Sequence, residues 1–128
     1  MSTALKALVV DDSRVIRRIV GDCLRAMQVE VFEADNGRTA LEALRKIDGI
    51  GFVLLDWNMP VMSGIDCLHE LRQDERFKDV RVCMVTSEAE MSAVVKALNE
   101  GANEYLMKPF EPEALHEKLQ MLMGAFEQ

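Results

Sequence analysis

Residues 52–56 read Phe-Val-Leu-Leu-Asp, four apolar residues in succession and then a carboxylate. An uninterrupted apolar run of this length suits a strand covered on both faces, as in a parallel sheet. Two more runs share the pattern, Leu8-Val9-Val10 and Val82-Cys83-Met84-Val85, so three central strands are expected. Val29 to Ala34 alternates apolar with acidic residues, and Glu104 to Met107 mixes polar residues into a short run. Both suit sheet edges. Strands are therefore expected at Leu5 to Val10, Val29 to Ala34, Phe52 to Leu55, Arg81 to Thr86 and Glu104 to Met107.

The stretches between them have helical period. Ile16, Ile19, Val20, Cys23, Leu24 and Met27 line one face of a first helix, which Asp12 or Ser13 can cap. A second helix follows Asn36-Gly37 and uses Ala40, Leu41, Leu44 and Ile47. A third follows Ser63-Gly64 with Ile65, Leu68 and Leu71. A fourth carries Met91, Val94, Val95 and Leu98 and stops at Gly101, and a fifth starts near Pro112 and runs through Leu115, Leu119, Leu122, Met123 and Phe126. Strands alternating with helices imply parallel pairing through right-handed crossovers. The expected class is α/β, a doubly wound (βα)5 three-layer sandwich. Its parallel five-stranded sheet has order 2-1-3-4-5, the flavodoxin-like arrangement.

The 128 residues, 49% of them apolar, make one domain with a real core. Lys and Arg number 15 and Asp and Glu 22, a net charge of −7 without long runs of one sign, which excludes disorder and disfavours nucleic acid or an anionic membrane as partner. No apolar run approaches the ~20 residues of a bilayer span, and the N-terminus has no signal-peptide core. A cytoplasmic protein is expected. Cys23, Cys67 and Cys83 fit neither a disulfide framework nor a zinc motif, and His69 and His116 are isolated.

In an open parallel sheet, ligands bind beyond the carboxyl ends of the strands. Strand one ends in Asp11-Asp12, strand three in Asp56, strand four in Thr86-Ser87 and strand five in Lys108-Pro109. Three carboxylates in one pocket repel unless a cation intervenes. Hard oxygen donors without histidine or thiolate select Mg²⁺, with Mn²⁺ as the other candidate. One carboxylate then remains free to attack phosphorus as a nucleophile. Lys108 and Thr86 would join the metal in neutralising the phosphoryl oxygens. Lys108 reads equally as a salt-bridge partner of Asp11 or Asp12 in the unmodified protein.

The stretches LVVDDS (8–13), LLDWNMPVMSG (54–64), VTSEAE (85–90) and GANEYLMKPF (101–110) resemble, in order and spacing, the receiver domain of two-component response regulators. DWNMP is especially similar to the CheY-type chemotaxis regulators. The resemblance implies that Asp56 is the phosphoacceptor and that Asp11, Asp12, Asp56 and the backbone carbonyl of Asn58 hold Mg²⁺. It implies that Thr86 and Lys108 contact the phosphoryl group and that Lys108-Pro109 is a cis peptide. It further implies a switch in which Thr86 moves toward the phosphoryl group and Tyr105 turns inward, reshaping a face made by helix four, strand five and helix five. Asn58 and Glu88 would tune how readily water attacks the acyl phosphate. A CheA-like histidine kinase would be the donor, a protein bound on that face the target, and the chain a monomer.

The chain is expected to be a single receiver domain over 1–128 without an output domain, the alternative being a receiver excised from a larger regulator. It would assist its own phosphorylation and dephosphorylation without acting as an enzyme on other substrates. A haloacid-dehalogenase-like phosphatase would need a second Asp two residues after the nucleophile, where Asn58 stands. A flavin mononucleotide carrier would need a phosphate-binding loop after strand one, where the acidic pair would repel it.

Overall fold

A computed structural model describes residues 5–87 and 91–124, with Met91 described by its backbone alone. The strands are β1 (Lys6–Val10), β2 (Glu30–Ala34), β3 (Ile50–Asp56), β4 (Arg81–Thr86) and β5 (Glu104–Met107). The helices are α1 (Arg14–Ala26), α2 (Gly37–Lys46), α3 (Gly64–Gln73), α4 (Met91–Asn99) and α5 (Pro112–Gly124). All four strand pairings are parallel and the order is β2-β1-β3-β4-β5, the expected one, with β2 and β5 at the edges as their mixed polar composition suits. β3 starts two residues before the apolar run because Ile50 pairs with Lys6 across β1, with a register shift before Ala7. A 3-10 turn at Glu75–Phe77, unmarked in the sequence pattern, connects α3 to β4. Among the described residues no helix is long and apolar enough to cross a membrane.

Side-chain alternation along the central strands divides the core into two. Leu8, Val10, Val53, Leu55, Val82 and Met84 face α2 and α3, meeting Leu41, Leu44, Cys67, Leu68 and Leu71. Ala7, Val9, Phe52, Leu54, Cys83 and Val85 face the other way, onto Val20 and Leu24 of α1 and Leu115, Leu119 and Leu122 of α5. These strands are apolar throughout because both faces are covered. Burial pushes the thiols of Cys67 and Cys83 up to about 12, so both behave as inert apolar groups.

Ile19 departs from the core face expected of α1, with 48% of its surface exposed. It lines instead a largely apolar groove of about 560 Å³ with Ile16, Cys23, Phe110 and Leu115, which reaches Lys108. Phe126, assigned to the last helix, lies outside the described residues.

The loop leaving β3 contains a strained residue. Val61 has φ +67°, a region where a β-branched side chain crowds the backbone, and it is 76% exposed, so it gains little from burial. Asn tolerates this conformation. Val61→Asn is expected to stabilise the fold by about 1 kcal/mol, read as a higher urea midpoint at unchanged slope. A lower midpoint would show that the Val61 side chain makes a contact worth more than the strain.

Candidate functional site

The acidic cluster sits where β1 and β3 end. Asp11 follows the last residue of β1, and its backbone N–H donates to the Ala34 carbonyl of β2 at 3.1 Å. Asp56 is the last residue of β3, and the next N–H, of Trp57, donates to the Val85 carbonyl of β4 at 2.9 Å. Sheet pairing thus continues into the site and fixes its backbone. Asp11, Asp12 and Asp56 each place a carboxylate oxygen within 4.8 Å of the others. Asp11 and Asp56 are 2% and 5% exposed, whereas Asp12 is exposed.

Lys108 enters from the end of β5, after its N–H has donated to the Thr86 carbonyl at 2.8 Å. Its ammonium lies 2.8 Å from Asp11 Oδ2 and 3.3 Å from Asp56 Oδ1. The salt-bridge reading of Lys108 therefore holds for Asp11, and Asp56 is the second partner. The Lys108-Pro109 peptide is cis. Burial raises the Asp56 carboxyl above its ordinary range, the charge of Asp11 raises it further, and Lys108 only partly offsets this. Burial acts to lower the Lys108 ammonium, but the hydrogen bond and charge of Asp11, with Asp56 behind it, outweigh burial and raise it. The lysine accordingly stays charged.

The loops are held by caps at the same rim. Ser13, one of the two residues offered as cap for α1, accepts from the Ile16 N–H at 3.3 Å, while its own N–H donates to Asp11 Oδ1 at 2.9 Å. Ser63 caps α3 in the same way, through the Asp66 N–H. The β3–α3 loop, which carries Trp57 and Asn58, closes with the Gly64 N–H donating to the Trp57 carbonyl at 2.9 Å.

Thr86 ends β4 at 1% exposure, one residue past the Val85 that pairs with Asp56. Asn58 is exposed on the loop after Asp56, and Arg14 is exposed at the start of α1. Tyr105 is half-buried on β5, with the Lys118 ammonium 5.0 Å from its ring centre. Lys118 also bonds Glu104 Oε1 at 2.7 Å. Glu88 lies outside the described residues. Sequence reading places Arg17 only among the polar positions of α1, whereas its Nη1 donates to the Asp11 carbonyl at 2.6 Å and its Nε to Glu33 Oε1 at 2.9 Å. No local pattern marks it, because both partners come from other elements.

The donor set fits a hard divalent cation. Among the described residues three carboxylates and one ammonium leave two negative charges uncompensated, and neither histidine nor cysteine belongs to the group. Asp12 is the exposed member of the three.

A family model for the response regulator receiver domain matches residues 7–120. Chemotaxis protein CheY1 of Helicobacter pylori is 41% identical over 121 residues, which cover 94% of this chain and 98% of that protein. Chemotaxis protein CheY-3 of Vibrio cholerae is 46% identical over 116 residues, 90% of this chain and 88% of that one. Among solved structures, the chemotaxis response regulator CheY4 of Vibrio cholerae superposes with a TM-score of 0.88 at 35% identity, covering 94% of this chain and 99% of that one. Four strand ends bring acids, hydroxyl and ammonium to one rim of a 2-1-3-4-5 sheet, and the sequence relationship spans the same residues: the chain belongs to the response regulator receiver domain family and is a CheY-like member of it.

Proposed function

We propose that this protein is a phosphoacceptor of a chemotaxis phosphorelay, modified on Asp56 by a histidine kinase of the CheA type. The observation that carries this reading is the convergence of Asp11, Asp12 and Asp56 with Lys108 at the carboxyl edge of the sheet. A carboxylate oxygen of Asp56 would form the new bond to phosphorus as the P–N bond of a phosphohistidine breaks and the imidazole leaves. Lys108, already between Asp11 and Asp56, would transfer one of its contacts to a phosphoryl oxygen, and the Thr86 hydroxyl would provide a second donor. Magnesium, held by Asp11, Asp12, Asp56 and the Asn58 carbonyl, would neutralise the remaining charge on the phosphoryl oxygens. Asn58 and Glu88 would set how long the phosphoryl group persists.

A dianionic group at the strand ends favours whichever conformer points donors at it, so phosphorylation acts as a population shift. In this reading Thr86 moves toward the phosphoryl group, Tyr105 turns inward, and the face of α4, β5 and α5 changes its affinity for a target protein. Val95 and Leu98 of α4, Met107 of β5 and Met121 of α5 are exposed on these elements and would supply its apolar contacts. The chain would act as a cytoplasmic, monomeric single domain.

The test uses Trp57, the one tryptophan, which adjoins Asp56. Millimolar Mg²⁺ is expected to change its fluorescence, and acetyl phosphate to change it again only when Mg²⁺ is present. Absence of any metal response would overturn the reading. Steady turnover of p-nitrophenyl phosphate would favour the phosphatase alternative.

A further inference from the structure

Arg17, near the start of α1, has a side chain only 15% exposed and grips two groups. One is Glu33 of β2, which a second α1 arginine, Arg25, approaches at 3.7 Å. The other is the carbonyl oxygen of Asp11. That carbonyl belongs to the peptide joining Asp11 to Asp12, and a peptide unit is planar. Fixing its oxygen therefore fixes the plane from which the Asp12 residue departs. The Asp11 carboxylate has further partners in the Ser13 N–H and Lys108. The Asp12 carboxylate has no hydrogen bond or ion pair among the described residues, so the backbone alone aims it toward the other two acids.

We propose that Arg17 is a positioning residue for magnesium: clamped by Glu33, it holds the Asp11–Asp12 peptide so that both carboxylates converge on Asp56. The inference rests on the reading that this cluster holds Mg²⁺. A planar guanidinium can serve carbonyl and carboxylate together, whereas an ammonium is a single point of charge. Charge and positioning predict opposite signs. A cation beside a metal site repels the metal, so an arginine acting by charge alone would weaken Mg²⁺ binding, and its removal would tighten it. An arginine that aims the ligands strengthens binding, and its removal weakens it.

The experiment titrates Mg²⁺ into wild type, Arg17→Met and Arg17→Lys by Trp57 fluorescence, and records the Asp12 and Ser13 amide shifts and the far-ultraviolet circular dichroism of each without metal. Arg17→Met is expected to raise the Mg²⁺ dissociation constant roughly tenfold, the scale seen when a group orienting a metal ligand is lost. Its Asp12 amide is expected to move while helix content stays the same. Arg17→Lys keeps the charge, so weaker binding there reports geometry. It is expected to fall between the other two, and it decides the matter if Arg17→Met does not fold. Equal or tighter Mg²⁺ binding by Arg17→Met, or unchanged binding by Arg17→Lys in its place, would overturn the proposal. A wild-type protein silent toward Mg²⁺ overturns the reading of the site instead. The metal-free Asp12 amide then still decides the positioning role: a shift in Arg17→Met supports it and none overturns it.

Discussion

Incubated with acetyl phosphate and Mg²⁺, the wild-type protein is expected to gain the mass of one phosphoryl group, acid-stable only briefly, and Asp56→Asn to gain none. An amide of the same shape has no anionic oxygen to attack phosphorus, so intact-mass spectrometry reads the difference as all or nothing. An equal adduct on both proteins would place the modification elsewhere. The same substitution has a second effect of opposite benefit. Asp56 is 5% exposed and sits beside Asp11, and burial together with that neighbour raises its folded pKa. A raised acid favours the folded state fully below its ordinary pKa, and that contribution is lost as the pH rises through the folded value. In metal-free buffer at neutral pH the ionised carboxylate therefore costs stability. Asp56→Asn, which leaves Lys108 its shorter contact with Asp11, is expected to stabilise by about 1 kcal/mol and to melt a few degrees higher. The gain should shrink in acid and when Mg²⁺ stabilises the wild type. A lower melting temperature in chelator would show that the Lys108 contact outweighs burial.

Gly64→Ala is expected to be among the most damaging single changes in the protein. Gly64 opens α3 against the end of β3, and an added Cβ would overlap the Asp56 carbonyl oxygen, with 2.9 Å to its carbon and 3.1 Å to Trp57 Cα. Every one of these atoms is backbone, so no side-chain rotation relieves the overlap. α3 must withdraw or the strand end must tilt, and either displaces the acceptor. A loss of about 3 kcal/mol or more is expected, with a melting temperature lower by on the order of 10 °C and slower phosphorylation of whatever remains folded. Gly124→Ala is the control, since no atom of the described residues lies within 4 Å of its added Cβ. A Gly64→Ala protein that melts beside wild type would show that the close approach is readily relaxed.

The strands were legible because each central one is an apolar run bounded by chemistry, Leu8 to Val10 before Asp11 and Phe52 to Leu55 before Asp56. With the sheet order inferred, the polar residues that end the strands had to meet at one rim, and Asp11, Asp12, Asp56 and Lys108 do. Other features left no local trace. Arg72 of α3 donates to the carbonyls of Gly101 and Phe77 and to Asn103 Oδ1, tying the loop before β5 to the 3-10 turn before β4 through partners up to 31 residues away. Ile19 has the spacing of a core residue yet faces the groove beside α5, because helical period gives a direction and not the neighbour that covers it. Val61 reads as an ordinary loop apolar residue, and only the backbone angles reveal its strain.

Sequence alone determined the layer architecture, which strands are central and which lie at the edges, and the identity of the acidic cluster, because hydrophobic periodicity and the ends of apolar runs are local properties of the chain. Tertiary structure alone decided which oxygen Lys108 holds most closely, where Arg17 grips the backbone and why residue 64 has no room for a methyl group. Those depend on distances of a few ångströms between segments far apart in the chain, which are set only when the helices settle on the sheet.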